Sequence, residues 1–443
     1  MTDSTLQQAA PVSSSSGKLA FKVFIWILAL VVLSAAWFVL IASVAPARLD
    51  FSSLGASLMA LTPPVLLTVL CWTGLRILST PRSLAAGTPV GNVASPQATP
   101  LASVARFRIG AWSALTPHGN VIETVEGTKA RTIVFKPDKA ISNPSGYPVH
   151  ASIVEALDLE AMGYRKGTRL RGPRVMTLIS AILDDLHAQQ PTLMESIAGP
   201  AHVYWLLPPA LISAEDDQGD IFARAWNSSA WREGAYVLHM IRASEATAFM
   251  VLSSLQDGID QSSVPYSIIL AADSSLDREE LSTALALGEV FSHTAPQGFI
   301  PSEAAGGVLL FNPAKTSDDL WANAAILGPV AARRRDADPQ AERGVISAAL
   351  TGAGKGAADI CNVVSDSDHR TPGSMAVVEA MAHVLADMNP MEQRICPMEY
   401  AGAFGAASDL VHLALAVELA GEKSVLALST CDGQCASVVV MPA

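Results

Sequence analysis

The sequence predicts a layered α/β domain of two similar halves, carried behind an N-terminal two-helix transmembrane hairpin. Three observations predict it. Two long apolar runs open the chain, Leu19–Ala45 and Ser53–Leu78. Behind them, short Val-, Ile- and Leu-rich runs alternate with stretches of helical spacing. That alternation then occurs a second time, from Arg343 to the C-terminus.

Taken in order, residues 1–17 are polar and end in SSSSG, a composition expected to be disordered. Leu19–Ala45 carries a single charge, Lys22, and at about 1.5 Å per residue spans a hydrocarbon core of about 30 Å. A cleavable signal peptide is the competing reading, but the run is too long for one and a second apolar run follows. In that second run the Pro63-Pro64 pair kinks a helix, which a membrane span tolerates. A buried globular helix is its alternative. Two spans, about 19–45 and 53–78, therefore occupy residues 18–79. Lys18, Lys22, Arg76 and Arg82 flank the pair, whereas the loop between holds only Arg48 beside Asp50. Positive flanks face the cytoplasm, so both termini and the large domain are expected there. Residues 80–105 are rich in Pro, Gly, Ser, Ala and Thr and read as a flexible linker to a domain at 106–443.

Within that domain ARFRIGAWSALTPHGN reads as a strand entering a Pro-Gly turn, and residues 174–190 as a helix. AHVYWLLPPALI is a buried strand stopped by its Pro pair. Residues 243–259 and REELSTALALGEVF read as helices, with strands at PYSIILAADSSLD and GGVLLFNP. In the second half RGVISAALTGAG, SMAVVEAMAHVLADM and GAASDLVHLALAVELAG read as helices, and DICNVVSDSD, SVLALSTCD and ASVVVMP as strands.

Composition narrows function. Half of the 443 residues are hydrophobic, 16% are charged, and mean hydropathy is +0.33, in keeping with membrane segments. A net charge of −12 disfavours nucleic acid as a partner, since phosphate neutralisation needs a basic face. The run Arg333-Arg334-Arg335 meets Asp336 and Asp338 and reads as a solvated loop. Five scattered cysteines form no disulfide framework and fit a reducing compartment; Cys431 and Cys435 lack a second ligand pair for zinc. Asp366, Asp368 and His369 read as a hydrogen-bonded or Arg370-paired loop rather than a metal cluster. TGAGKGAAD lacks the ending of a phosphate loop and reads as a helix-ending linker. No cofactor and no metal are expected.

Four segments carry a family resemblance. FRIGAWSALTPHGN is similar to the opening strand and turn of β-ketoacyl synthases. EATAFMVLSSLQDGIDQSSVPYSIILAADSSLD resembles the helix after their nucleophile and the next strand. QGFIPSEAAGGVLLFN resembles their GF-x-x-GE-x-A turn, and YAGAFGAASDLVHLALAV their TGH-x-x-GAA helix. They stand in family order across 106–443. The resemblance implies a thiolase-like fold, a five-layer αβαβα sandwich of two halves.

It also implies where chemistry would sit. The family's nucleophile is a thiolate at a helix N-terminus; Ser244 takes that place here. Ala403 stands for the second catalytic histidine, Met398 for a lysine, and CDGQ (431–434) for a GFGG loop, while His369 echoes the first histidine. Glu303 matches the Glu that organises the family's turn by bonding backbone donors. With Ser244, His369 and Ala403 as degenerate counterparts, the expectation is a catalytically inactive domain, not an enzyme.

The hairpin, the linker, SDSDHR and GAFGAASDLVHLALA also resemble proteins of bacterial type VI secretion clusters, including the type VI lipase adapter family. This implies an adaptor at the bacterial inner membrane, with a secreted lipase effector or a component of the secretion machinery as partner; the ketosynthase resemblance implies a homodimer, the usual assembly of those enzymes. The alternatives are an acyl-transferring or acyl-hydrolysing enzyme using Ser244 with His369, and an acyl-chain or acyl-carrier-binding sensor.

Overall fold

A computed structural model describes residues 106–443, apart from 144–145, 198, 214–217, 260–261, 322–323, 336–337, 339 and 431–432. The disordered N-terminus, the hairpin and the linker expected from the sequence lie outside the described residues. Among the described residues no helix is long and apolar enough to cross a membrane.

Alternating burial makes Arg108–Leu115 a strand, β1, and a reciprocal pair of bonds between Thr116 and Gly119 turns the chain. Asn120 and Glu123 then cap each other's backbone and start α1, Val121–Lys129. Helix α2, Arg171–Gln189, follows a small separate sheet of β2 (Lys136–Ser142) and β3 (Pro148–Ala151). Strand β4, Ala201–Leu207, α3, Gln218–Ser228, and β5, Tyr236–Arg242, come next. Helix α4, Ala248–Asp257, β6, Tyr266–Ser274, α5, Arg278–Ala286, and β7, Glu303–Phe311, complete the first half. Short strands β8 (Ala325–Leu327) and β9 (Ala331–Arg334) lead to α6, Ala341–Ala353, β10, Ile360–Ser365, and α7, Thr371–Val384. Last come β11 (Arg394–Ile395), α8, Ser408–Leu419, β12, Ser424–Ser429, and β13, Gln434–Met441.

The strands form one path in the order β11-β10-β12-β13-β8-β1-β7-β6-β4-β5, with β9 on β13. Three-residue β8 joins the two halves, pairing β1 on one side and β13 on the other. Helix α8 packs between them, against β1 and β7 and against β10 and β12. Ten consecutive residues, Ser408–Val417, are buried, as expected of a helix apolar nearly all round. Helix α2 covers the outer face of β1, β6 and β7, and α6 the outer face of β13. Every residue of β6 and β7 is buried, because helices cover both faces. At Gly306 a Cβ would lie 2.6 Å from the Val411 nitrogen, so glycine lets β7 approach α8 at backbone distance.

Two predicted helices are shorter than their apolar spacing suggested. The one over 243–259 begins only at Ala248, because Thr247 caps it and Ala243–Glu245 form a turn. The one after Asp277 ends at Ala286, with Gly288 at φ +72°, and Val290 instead bridges Phe299. TGAGKGAAD ends α6, with Gly354 in the left-handed region.

Candidate functional site

A cavity of about 270 Å³ opens where the N-terminus of α4 meets the C-terminal end of β6 and the start of α8. Its polar lining comes from Thr247, Asp273, Ser408, Asp409 and Arg370; Ala243, Ala246, Met398 and Ala403 supply apolar wall. Each element places its group for a local reason. Thr247 accepts the Met250 N–H as the helix cap. Asp273, the penultimate residue of β6, accepts the backbone N–H groups of Ser274 (2.8 Å) and Ala406 (3.0 Å), and pairs with Arg171 at 3.2 Å. Gly405, at φ +54°, makes room for it: a Cβ there would lie 2.0 Å from an Asp273 carboxylate oxygen.

Asp409 dominates the electrostatics. It lies in the first turn of α8 and accepts the Ala248 N–H at 3.0 Å. Burial pushes its carboxyl up to about 6; the Ser429 hydroxyl and the Ala248 and Phe249 N–H groups oppose that, and the nearby Asp366 carboxylate adds to it. Asp366 itself accepts the Thr430 N–H (2.6 Å) and hydroxyl (2.8 Å). Behind the wall, fully buried His412 sits with Nδ1 3.4 Å from the Ser408 hydroxyl, and burial lowers it to about 4. Burial also raises Asp273, against the pull of Arg171.

The sequence-predicted residues are not brought together. Ser244 is exposed in the turn before α4 and does not line the cavity. His369 is half-buried; its Nε2 lies 3.0 Å from the Gly298 carbonyl and its ring meets Phe291 edge-on. No hydrogen bond among the described residues joins Ser244 to His369. Ala403 presents a methyl group to the cavity, and its N–H donates to Ile300. Of CDGQ, residues 431–432 lie outside the described residues. Asp368 is held by Arg370, through its backbone N–H at 2.9 Å and its guanidinium at 2.6 Å.

Glu303 is fully buried on β7 and forms a two-armed ion pair with Arg174 of α2. It also accepts the Val154 N–H at 2.8 Å and the Ser274 hydroxyl at 3.1 Å. Sequence reasoning missed Arg174, and it missed Thr247, Asp273, Ser408 and Asp409 in the cavity. A signal existed for one of them: Asp409 and His412 interrupt the otherwise apolar run SDLVHLALAV.

No protein-family model matches the chain, and no curated protein matches it. Solved structures do. The ishigamide ketosynthase/chain length factor is 19% identical, with a TM-score of 0.56, over 76% of this chain and 99% of its own. The AntDE ketosynthase, solved with its acyl-carrier protein AntF, is 14% identical over the same shares, with a TM-score of 0.58. A β-ketoacyl synthase from Burkholderia phymatum matches at 14% identity over 76% and 99%, with a TM-score of 0.54. The fold is therefore thiolase-like, of the ketosynthase type. These matches correct the expectation that the domain is not an enzyme. That reading rested on Ser244, Ala403 and the CDGQ loop, yet the fold is shared with enzymes.

Proposed function

We propose that the domain acts on acyl thioesters in the cavity at the α4 N-terminus, transferring or hydrolysing a short acyl group, while the predicted hairpin holds it at a bacterial inner membrane. The observation that supports this reading best is the cavity itself. A helix N-terminus, two hydroxyls and two buried carboxylates converge on a space just below the usual range for ligand pockets, about 300–1,000 Å³. Its size suits a short acyl group rather than a lipid chain.

In this reading Asp409 moves the proton. A carboxylate has about four acceptor positions, and the Ala248 N–H holds one at 3.0 Å. An open position takes the proton of an attacking water or alcohol as the new C–O bond forms. The C–S bond then breaks, and the proton passes to the departing thiolate. Thr247 and Ser408 orient the acyl carbonyl. The helix N-terminus favours the negative charge that develops.

The test is thiol release from acetyl-, butyryl- and octanoyl-pantetheine by the full chain in lipid nanodiscs. Short esters should turn over, and Asp409→Asn should slow the reaction at least about 100-fold, the usual contribution of a positioned acid–base group. Ser244→Ala and His369→Ala should leave the rate unchanged. No binding or turnover of any ester would overturn the proposal.

A second reading, docking of a secreted effector as adaptor cargo, is favoured by strand β5. It ends the sheet path and exposes Val237 (38%) and Met240 (48%). Capture of a purified lipase effector by the full chain, lost on Met240→Lys, tests it.

A further inference from the structure

A second cavity, about 240 Å³, lies between the C-terminal end of α1 and residues 390–400. Three cations line it: Lys129, Arg131 and Arg394. Arg394 is nine-tenths buried; it pairs with Glu399 at 2.8 Å and bonds the Ser374 hydroxyl at 3.0 Å, yet its Nε–H has no partner. Glu392 is the other lining carboxylate, so the balance of the lining is one positive charge.

Arg131 is the unusual residue. It is the one non-glycine residue with positive φ, +55°, among the described residues. It sits just past α1, where the Thr132 N–H reaches back to Gly127 and its own N–H to Thr128. Glycine is the default at that position of such a helix end, because a side chain strains the left-handed backbone. Local propensity is set aside for the guanidinium, which donates to the Met391 carbonyl at 2.9 Å and so lies at the rim. Beside the cations two large apolar side chains stand in solvent, Ile133 (61% exposed) and Met391 (62%). Val134, next to Ile133, donates its N–H to Tyr400 of the cavity wall.

We propose that this cavity holds the phosphate of an anionic lipid headgroup and seats this face of the domain on a membrane. Lys129, Arg131 and the Arg394 Nε–H grip the phosphate, and Ile133 and Met391 enter the interface beside it. Basic charge with protruding apolar side chains fits a lipid surface better than free phosphate, which would leave Ile133 and Met391 unexplained. The proposal does not depend on the acyl-thioester reading.

The test is hydrogen exchange of the full chain in nanodiscs of phosphatidylcholine, with and without phosphatidylglycerol. Peptides covering 127–134 and 389–394 should be protected only with the anionic lipid. Lys129→Ala with Arg131→Gly should abolish that protection, each lost charge weakening the attraction about fivefold. Arg131→Gly also relieves the backbone strain, so the variant stays folded and exchange elsewhere is unchanged. Equal protection in phosphatidylcholine alone overturns the proposal, as does equal protection by inorganic phosphate without anionic lipid. Protection that survives the double substitution, as a protein contact at this face would give, also overturns it.

Discussion

Replacing Arg174 by Met isolates the ion pair beneath β7. Arg174 is 3% exposed and Glu303 fully buried, so water screens neither charge. The substitution removes both guanidinium bonds to Glu303 and leaves it only the Val154 N–H and the Ser274 hydroxyl. A buried charge stripped of its partner costs about 3–5 kcal/mol. Unfolding entropy of about 2.1 cal/mol/K per residue, over the roughly 340 residues of the domain, gives about 0.7 kcal/mol per degree. Arg174→Met should therefore lower the melting temperature by about 4–7 °C. Adding Glu303→Gln removes the stranded charge, and the double variant should regain most of the loss. The assay is thermal unfolding of full chain and variants in nanodiscs, followed by tryptophan fluorescence. A single variant within about one degree of wild type would refute the structural role given to Glu303. A double variant no more stable than the single would refute the argument from stranded charge.

Two further predictions concern titration. Asp409 is raised by burial to about 6 in the fold from 3.8, so its contribution favours the folded state at low pH and is lost as pH rises through about 6. Between pH 4 and 7 that is on the order of 3 kcal/mol. Asp409→Asn should flatten the urea-midpoint profile by that amount; the opposite contribution of His412, lowered to about 4, cancels in the difference. Identical slopes would refute it. Burial also pushes the Cys396 and Cys435 thiols up to about 12, so iodoacetamide at pH 8 should label them only after unfolding. Rapid labelling of native Cys396, read by peptide mass spectrometry, would contradict that environment.

What could be read from the sequence was what repeats along it. The alternation of strands and helices, and the turns at Pro117 and Pro208, are local signals carried by spacing. Strand β5 escaped notice because YVLHMIR lies at the sheet margin and shows no clean alternation. The β8 link escaped because three residues, AIL, carry no signal of length. The cavity was harder still. Ser244 sits where a motif comparison puts it, but Thr247, three residues later, caps the helix and faces the cavity. Asp273, Asp409 and Arg370 are far apart in sequence and converge only through the packing of β6, α8 and the loop after β10. Glu303 could be picked out as a carboxylate in an apolar passage; its partner Arg174, 129 residues earlier, could not.

The pairing of β1 with β7 sets a schedule for synthesis. Arg108 faces Phe311, so the first strand of the domain waits for a neighbour encoded some 200 residues later. At about 5–20 residues per second, that strand leaves the ribosome about 10–40 s before its ladder can close. During that interval Ile109, Ala111 and Ala114, all buried in the finished domain, have no sheet to enter. The nascent chain thus passes through a long stage in which an apolar strand stands open just behind the predicted membrane hairpin. Helix α8, which separates the two halves of the sheet, arrives later still, so the first half has no inner covering until nearly the whole chain has been made.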